Sequence, residues 1–96
     1  MSASPPINHL KILYCTQCNW MLRSTWIAQE LLTTFPGKLT EVSLIPSTGG
    51  LFEIWLNTEM IWNRKEKGRF PELREIKQLV RDIVDPGRSL GHSDNP

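Results

Sequence analysis

Between two strand-like segments, residues 19–35 carry a helical stripe that ends in Pro36-Gly37. Trp20, Met21, Ser24, Ile27, Ala28, Leu31, Leu32 and Phe35 recur at three- and four-residue intervals and fall on one side of a helical wheel. Arg23, Gln29, Glu30 and Thr33 fall on the other side, and the Pro-Gly pair stops the helix. Two apolar residues one turn apart, Leu22 and Trp26, interrupt that polar side. A helix bracketed by strands restricts the chain strongly. The crossover is right-handed and makes the two strands parallel neighbours.

The strand before the helix covers residues 7–14, with Leu10, Ile12 and Tyr14 on one face and His9 and Lys11 on the other. A second strand is expected over 39–45, followed by a loop, Pro46-Ser47-Thr48-Gly49-Gly50. In the third, over 51–56, Phe52, Ile54 and Leu56 oppose Glu53. Residues 57–59 then turn the chain into a short fourth strand over 60–63, so close that the two form an antiparallel hairpin. A second helix opens at Phe70-Pro71-Glu72 with Pro71 as its first residue, and Asp85-Pro86-Gly87 ends it. Its core stripe is Leu73, Ile76, Leu79, Val80 and Ile83.

The order β-α-β-β-β-α predicts a two-layer α/β (α+β) domain: a four-stranded mixed sheet with both helices on one face. The other face is partly wet, which accounts for Lys11 and Glu53 and places Trp55 there too. The domain is expected over 7–85, between a disordered N-terminal tail, 1–6, and an irregular C-terminal tail, 86–96. No internal repeat is visible.

Ninety-six residues suffice for one core. A net charge of +1 gives no general attraction to nucleic acid or to an anionic membrane. The most basic run, residues 64–69, is broken by Glu66 and reads as a solvated loop. No stretch approaches the roughly 18 apolar residues of a membrane span, and the N-terminus has no signal-peptide pattern. A cytoplasmic protein is expected, in a compartment where thiols stay reduced.

Cys15 and Cys18, the only cysteines, stand at C-x-x-C spacing. Cys15 is expected to end the first strand and Cys18 to begin the first helix. Unpaired N–H groups there carry partial positive charge and favour a thiolate. The spacing lets one thiol resolve a mixed disulfide formed by the other. Two other readings stand beside this one. A zinc site would need His9 or His92, and neither lies at a zinc spacing; no metal is expected. The pair could also be inert thiols. Trp20 is either a packed aromatic or a shield for the pair. Together with Leu22, Trp26 and Trp55 it makes up the candidate partner surface.

Several motifs in order resemble the Rdx family, the selenoprotein W-like redox proteins that include selenoproteins T and H. They are Tyr14-Cys15-x-x-Cys18-x-Trp20, Gln29-Glu30-Leu31-Leu32, Gly49-Gly50-x-Phe52-Glu53-Ile54, Ile61-Trp62-Asn63-Arg64-Lys65, Phe70-Pro71-Glu72 and Val80-Arg81-Asp82. The stretch through Asp85-Pro86 and Gly91-His92 resembles the bacterial members. The resemblance implies a thioredoxin-like fold and a thiol-based redox role. It implies that Cys18 holds the place of selenocysteine in other members, with sulfur as the less acidic substitute. By analogy with thioredoxin, Cys15 would attack; the selenoprotein likeness, with the helix terminus, favours Cys18. If the folds superpose, Thr48, Gly49 and Gly50 lie beside the cysteines. With Thr16 and Gln17 they are the candidate substrate-adjacent residues. Thioredoxins place a proline there, whereas Pro46 lies several residues earlier here.

The expected function is a small thiol–disulfide redox protein, its Cys15–Cys18 couple serving glutathione- or peroxide-linked chemistry. No flavin or nicotinamide site is present in the sequence, so electrons would come from a thiol/disulfide protein or glutathione. The competing expectation is a redox-sensitive interaction module without turnover. A homo-oligomer through the open sheet face is compatible with both.

Overall fold

The computed structural model describes residues 8–94; the expected tail over 1–6 lies outside them. Four strands, β1 (His9–Cys15), β2 (Glu41–Ser47), β3 (Phe52–Leu56) and β4 (Glu59–Asn63), form one sheet in the order β2-β1-β3-β4. Helix α1 (Met21–Thr34) connects β1 to β2, which pair in parallel from His9↔Glu41 to Cys15↔Ser47. β3 runs antiparallel to β1, with Ile12 opposite Ile54, and β4 antiparallel to β3. Pro46 is accommodated because β2 is an edge strand, where a missing N–H leaves no ladder bond unmade.

One face of the sheet carries the core. Leu10, Ile12, Tyr14, Phe52, Ile54, Leu56 and Trp62 are buried there against Ile27, Leu31 and Phe35 from the first helical segment and Ile76 and Val80 from a later helix. Both long helices therefore lie on one side, as the sequence predicts. A register shift between Ile54 and Trp55 in the hairpin lets Ile61 pack against the core beside Trp62. On the open face, His9 and Ser43 bond across β1 and β2 at 2.7 Å. Trp55 lies half-buried there, its indole N–H donating to Glu53 at 3.0 Å with the Lys11 ammonium 5.8 Å from its ring.

The structure differs from the sequence reading at element ends and margins. α1 begins at Met21, and Trp20 caps it without a side-chain bond. Met21 and Leu32 are exposed, because the arc of α1 that meets the sheet is narrow and both lie at its margins. The run read as a solvated loop holds a helical turn, α2 (Arg64–Lys67). It is capped by the Asn63 carboxamide oxygen accepting the Lys65 N–H and ended by Gly68 at φ 76°. The last long helix, α3 (Leu73–Val84), starts two residues after Pro71, because Glu72 and Glu75 form a reciprocal capping box. Only Ile76 and Val80 of its stripe are fully buried; Leu79 and Ile83 are exposed, since α3 inserts a single ridge into the core. The stretch from 86, read as irregular, includes a 3₁₀ turn, Gly91–Asp94. It is fastened by Arg81 to Asp94 at 2.6 Å and by Arg88 to the Thr34 carbonyl at 3.3 Å. Among the described residues no helix is long and apolar enough to cross a membrane.

Candidate functional site

Cys15 occupies the last position of the central β1 strand, with only 1% of its surface exposed. The chain then makes a tight turn, the Asn19 N–H reaching the Thr16 carbonyl at 3.2 Å. Asn19 takes a left-handed conformation, φ 59°, which redirects the backbone into α1. Cys18 lies in this turn and is exposed. It does not begin the helix, as the sequence suggested. Its separation from Met21 removes the direct helix-terminus argument for its acidity, since that effect is confined to the first turn.

Other groups take that place. The Cys18 thiol donates to the Cys15 sulfur across 2.8 Å. That bond draws the Cys15 thiol below its ordinary value; burial opposes it, and the backbone N–H groups of Gly50, Cys18 and Gln17 reinforce it. Cys18 is pushed up by the same bond, by desolvation and by the charge on Cys15, while the Arg64 guanidinium and the Gly50 N–H pull it down. Both directions favour the buried sulfur as the first of the pair to lose its proton.

The Gly50 N–H favours a thiolate at either sulfur, and its loop is tied to the turn. The Ser47 carbonyl accepts the Thr16 N–H at 3.0 Å and its hydroxyl at 3.4 Å. Gly49 and Gly50 both sit at φ 71°, and a Cβ at either would meet nothing within 4 Å. Their need for glycine is therefore conformational and not a matter of crowding. Thr16, Gln17, Thr48 and Gly49 surround the pair with exposed surface.

Trp20 forms the wall beyond Cys18. Its ring meets Phe70 edge-on at 4.9 Å and Phe52 at 6.3 Å. Arg64 lies over this aromatic group, 4.8 Å from the centroids of both Trp20 and Phe70. Its Nε is buried without a hydrogen-bond partner. Arg23 covers Phe70 as well, at 4.1 Å. Leu22 is 80% exposed and Trp26 45% exposed, and with Arg23 they line a shallow groove of about 460 Å³.

Of the candidate partner residues, Leu22 and Trp26 lie together on α1, Trp20 turns inward, and Trp55 is on the opposite face of the sheet. Sequence reasoning missed Arg64 and Phe70. Arg64 belongs to the basic run read as solvated, and the signal for its fixed position was the Asn63–Gly68 pair of helix-capping residues around it. No local pattern points from Phe70 to the cysteines. Among the described residues, no cluster of three or more His, Cys, Asp or Glu side chains could hold a metal.

A model of the Rdx family matches residues 9–82. The chain is similar to a selenoprotein W-related protein from Vibrio cholerae of known crystal structure. Identity is 52% and the TM-score 0.80, covering 83% of this chain and 100% of that one. A crystal structure from Bordetella parapertussis is likewise 52% identical, with a TM-score of 0.76, covering 78% of this chain and 95% of that one. A thioredoxin reductase-like selenoprotein T homolog from Caenorhabditis elegans is 42% identical over 50 residues, 52% of this chain and 19% of that protein. The chain spans between 19% and 62% of the length of the curated relatives it matches.

Proposed function

The chain belongs to the Rdx family, and from that premise we propose that it is a thiol–disulfide redox protein cycling Cys15 and Cys18 between dithiol and disulfide. The observation that carries this reading is the contact between an exposed thiol and a buried sulfur at 2.8 Å. A thioredoxin-like ancestry of the sheet and a cytoplasmic, reducing environment belong to the same proposal.

The division of labour follows from access and charge. Cys18 is the sulfur a substrate disulfide can reach. Its proton passes to the Cys15 thiolate, and the Cys18 sulfur forms a bond to one substrate sulfur. The substrate S–S bond breaks, and the leaving thiolate takes the proton from Cys15. The Cys15 thiolate then attacks the Cys18 sulfur, closing the protein disulfide and releasing the second substrate thiolate, which is protonated by solvent. Two electrons pass from the dithiol to the substrate. A thiol reductant, from glutathione or a dithiol protein, restores the protein. Peroxide-linked chemistry would use the same couple.

A redox titration with trapped thiols counted by intact mass and peptide mapping tests this. Joint conversion of both cysteines to one intramolecular disulfide near the cytosolic glutathione poise, roughly −220 to −320 mV, supports the couple. Thiols that remain reduced across that range, or a bound zinc ion in the purified protein, would sink it. The exposed Leu22 and Trp26 favour a second reading, a redox-sensitive interaction module. Partner binding that depends on oxidation state, without multiple turnover of any disulfide, would select it.

A further inference from the structure

The chain has six arginines, and four of them pair with carboxylates: Arg69 with Glu75, Arg74 with Glu72, Arg81 with Asp82 and Asp94, and Arg88 with Asp85. The two without a carboxylate partner among the described residues are Arg23 and Arg64. Both stack on Phe70, at 4.1 Å and 4.8 Å from its centroid. Phe70 in turn packs on Trp20, two residues after Cys18. Arg64 therefore acts directly on the exposed thiol, and Arg23 is held on the same aromatic group through Phe70. A guanidinium fixed over a ring has lost much of its rotamer freedom already and offers a planar set of donors to a carboxylate. The buried Arg64 Nε, with no acceptor, shows that the charge is held in place by packing and not by an ion pair. Next to Arg23 the apolar groove of Leu22 and Trp26 continues the same surface.

We propose that Arg23 and Arg64 form a carboxylate-reading clamp, so that the favoured substrate disulfide is carried on a polypeptide with an acidic residue beside its cysteine and an apolar side chain beyond it. The clamp rests on the redox reading given above and names its substrate class. Charge complementarity supplies the acidic residue. The adjoining groove, wide enough for a large side chain and left uncovered by the fold, favours a polypeptide over a small anionic disulfide, which would leave Leu22 and Trp26 in water. Arg64 acts on both the substrate and the Cys18 sulfur. Arg23 acts on the substrate alone.

The experiment measures the rate at which the reduced protein opens three probes: hydroxyethyl disulfide, a peptide disulfide with Glu beside the cysteine and Leu beyond it, and the same peptide with Gln for Glu. The Glu peptide is expected to react about tenfold faster than the Gln peptide at low salt, a difference that shrinks as salt screens the contact. Arg23→Gln should remove that preference while leaving the hydroxyethyl disulfide rate unchanged, and Trp26→Ala should slow both peptides but not the small disulfide. Arg23 and Trp26 are exposed, so both variants are expected to fold, and thermal unfolding verifies it. Equal rates for the two peptides, or an Arg23→Gln variant that slows all three probes alike, would overturn the clamp. So would a small dicarboxylate disulfide, run as a fourth probe, that reacts as fast as the Glu peptide. Failure to open even hydroxyethyl disulfide would instead remove the redox reading on which the clamp rests.

Discussion

At the scale of single residues, the site depends on groups that are not cysteines. Arg64 is the nearby positive charge that favours a Cys18 thiolate. In a Cys15→Ser background, Arg64→Gln should shift the pH profile of Cys18 alkylation upward. Its rate at neutral pH should fall by roughly two- to tenfold, since one pKa unit is a factor of ten in thiolate. An unchanged profile would show that Arg64 only packs. Asn19 carries a different burden. Its left-handed backbone disfavours residues with a branched Cβ, so Asn19→Val should cost about 1–2 kcal/mol in denaturant unfolding while Asn19→Gly costs little. At this scale the sequence was legible where chemistry and position coincide. Cys15 and Cys18 stand in contact, at the strand end where their spacing put them. Arg64 and Phe70 were not, because their approach to Cys18 is made by β4 and α2 returning from far along the chain, which no local spacing encodes.

At the scale of elements, the capping of α3 couples a helix start to pH. The Glu75 carboxyl is held at about 2 by Arg69, which donates to both its oxygens at 2.7 Å, and by the Glu72 N–H. A depressed carboxyl contributes stability that is complete above its unfolded value and disappears as pH falls through its folded one. Unfolding free energy should therefore decline between about pH 4.5 and pH 2. Glu75→Ala should flatten that decline and cost roughly 1 kcal/mol near neutrality, mostly from the lost cap, because the half-exposed Arg69 pair is screened by solvent. Denaturant midpoints followed across pH for both proteins give the comparison. The element order was readable because period and Pro/Gly stops agree. The helix starts were not, since Pro71 and Glu72 offer rival N-termini and the reciprocal bonds of Glu72 and Glu75 decide between them. The burial of Leu79 and Ile83 was overestimated for a related reason: periodicity gives a face but not its width.

For the molecule as a whole, one covered face and one open face set what can associate. Two copies meeting through the open face would have to bury Lys11 and Glu53 along with Trp55. Self-association there is expected to be weak, and sedimentation should give the same mass over a wide range of protein concentration; a concentration-dependent dimer abolished by Trp55→Glu would contradict this. The sequence foresaw the open face and the placement of Trp55 on it. It also kept Leu22 and Trp26 apart from that surface, because both helices were placed on the covered face and these two residues on the outer side of the first helix. The turn that brings Cys18 to Cys15 has a further consequence in the language of chain entropy. A bond between residues so close in sequence closes a very short loop, which restrains the unfolded chain by roughly 2 kcal/mol, against nearly 5 for a loop of a hundred residues. Oxidation should accordingly raise the melting temperature by about 10 °C, less than half of what a hundred-residue loop would give. The sheet is held by pairings between distant segments and the couple by a local one, so this fold can run its electrons in and out without being asked to unfold.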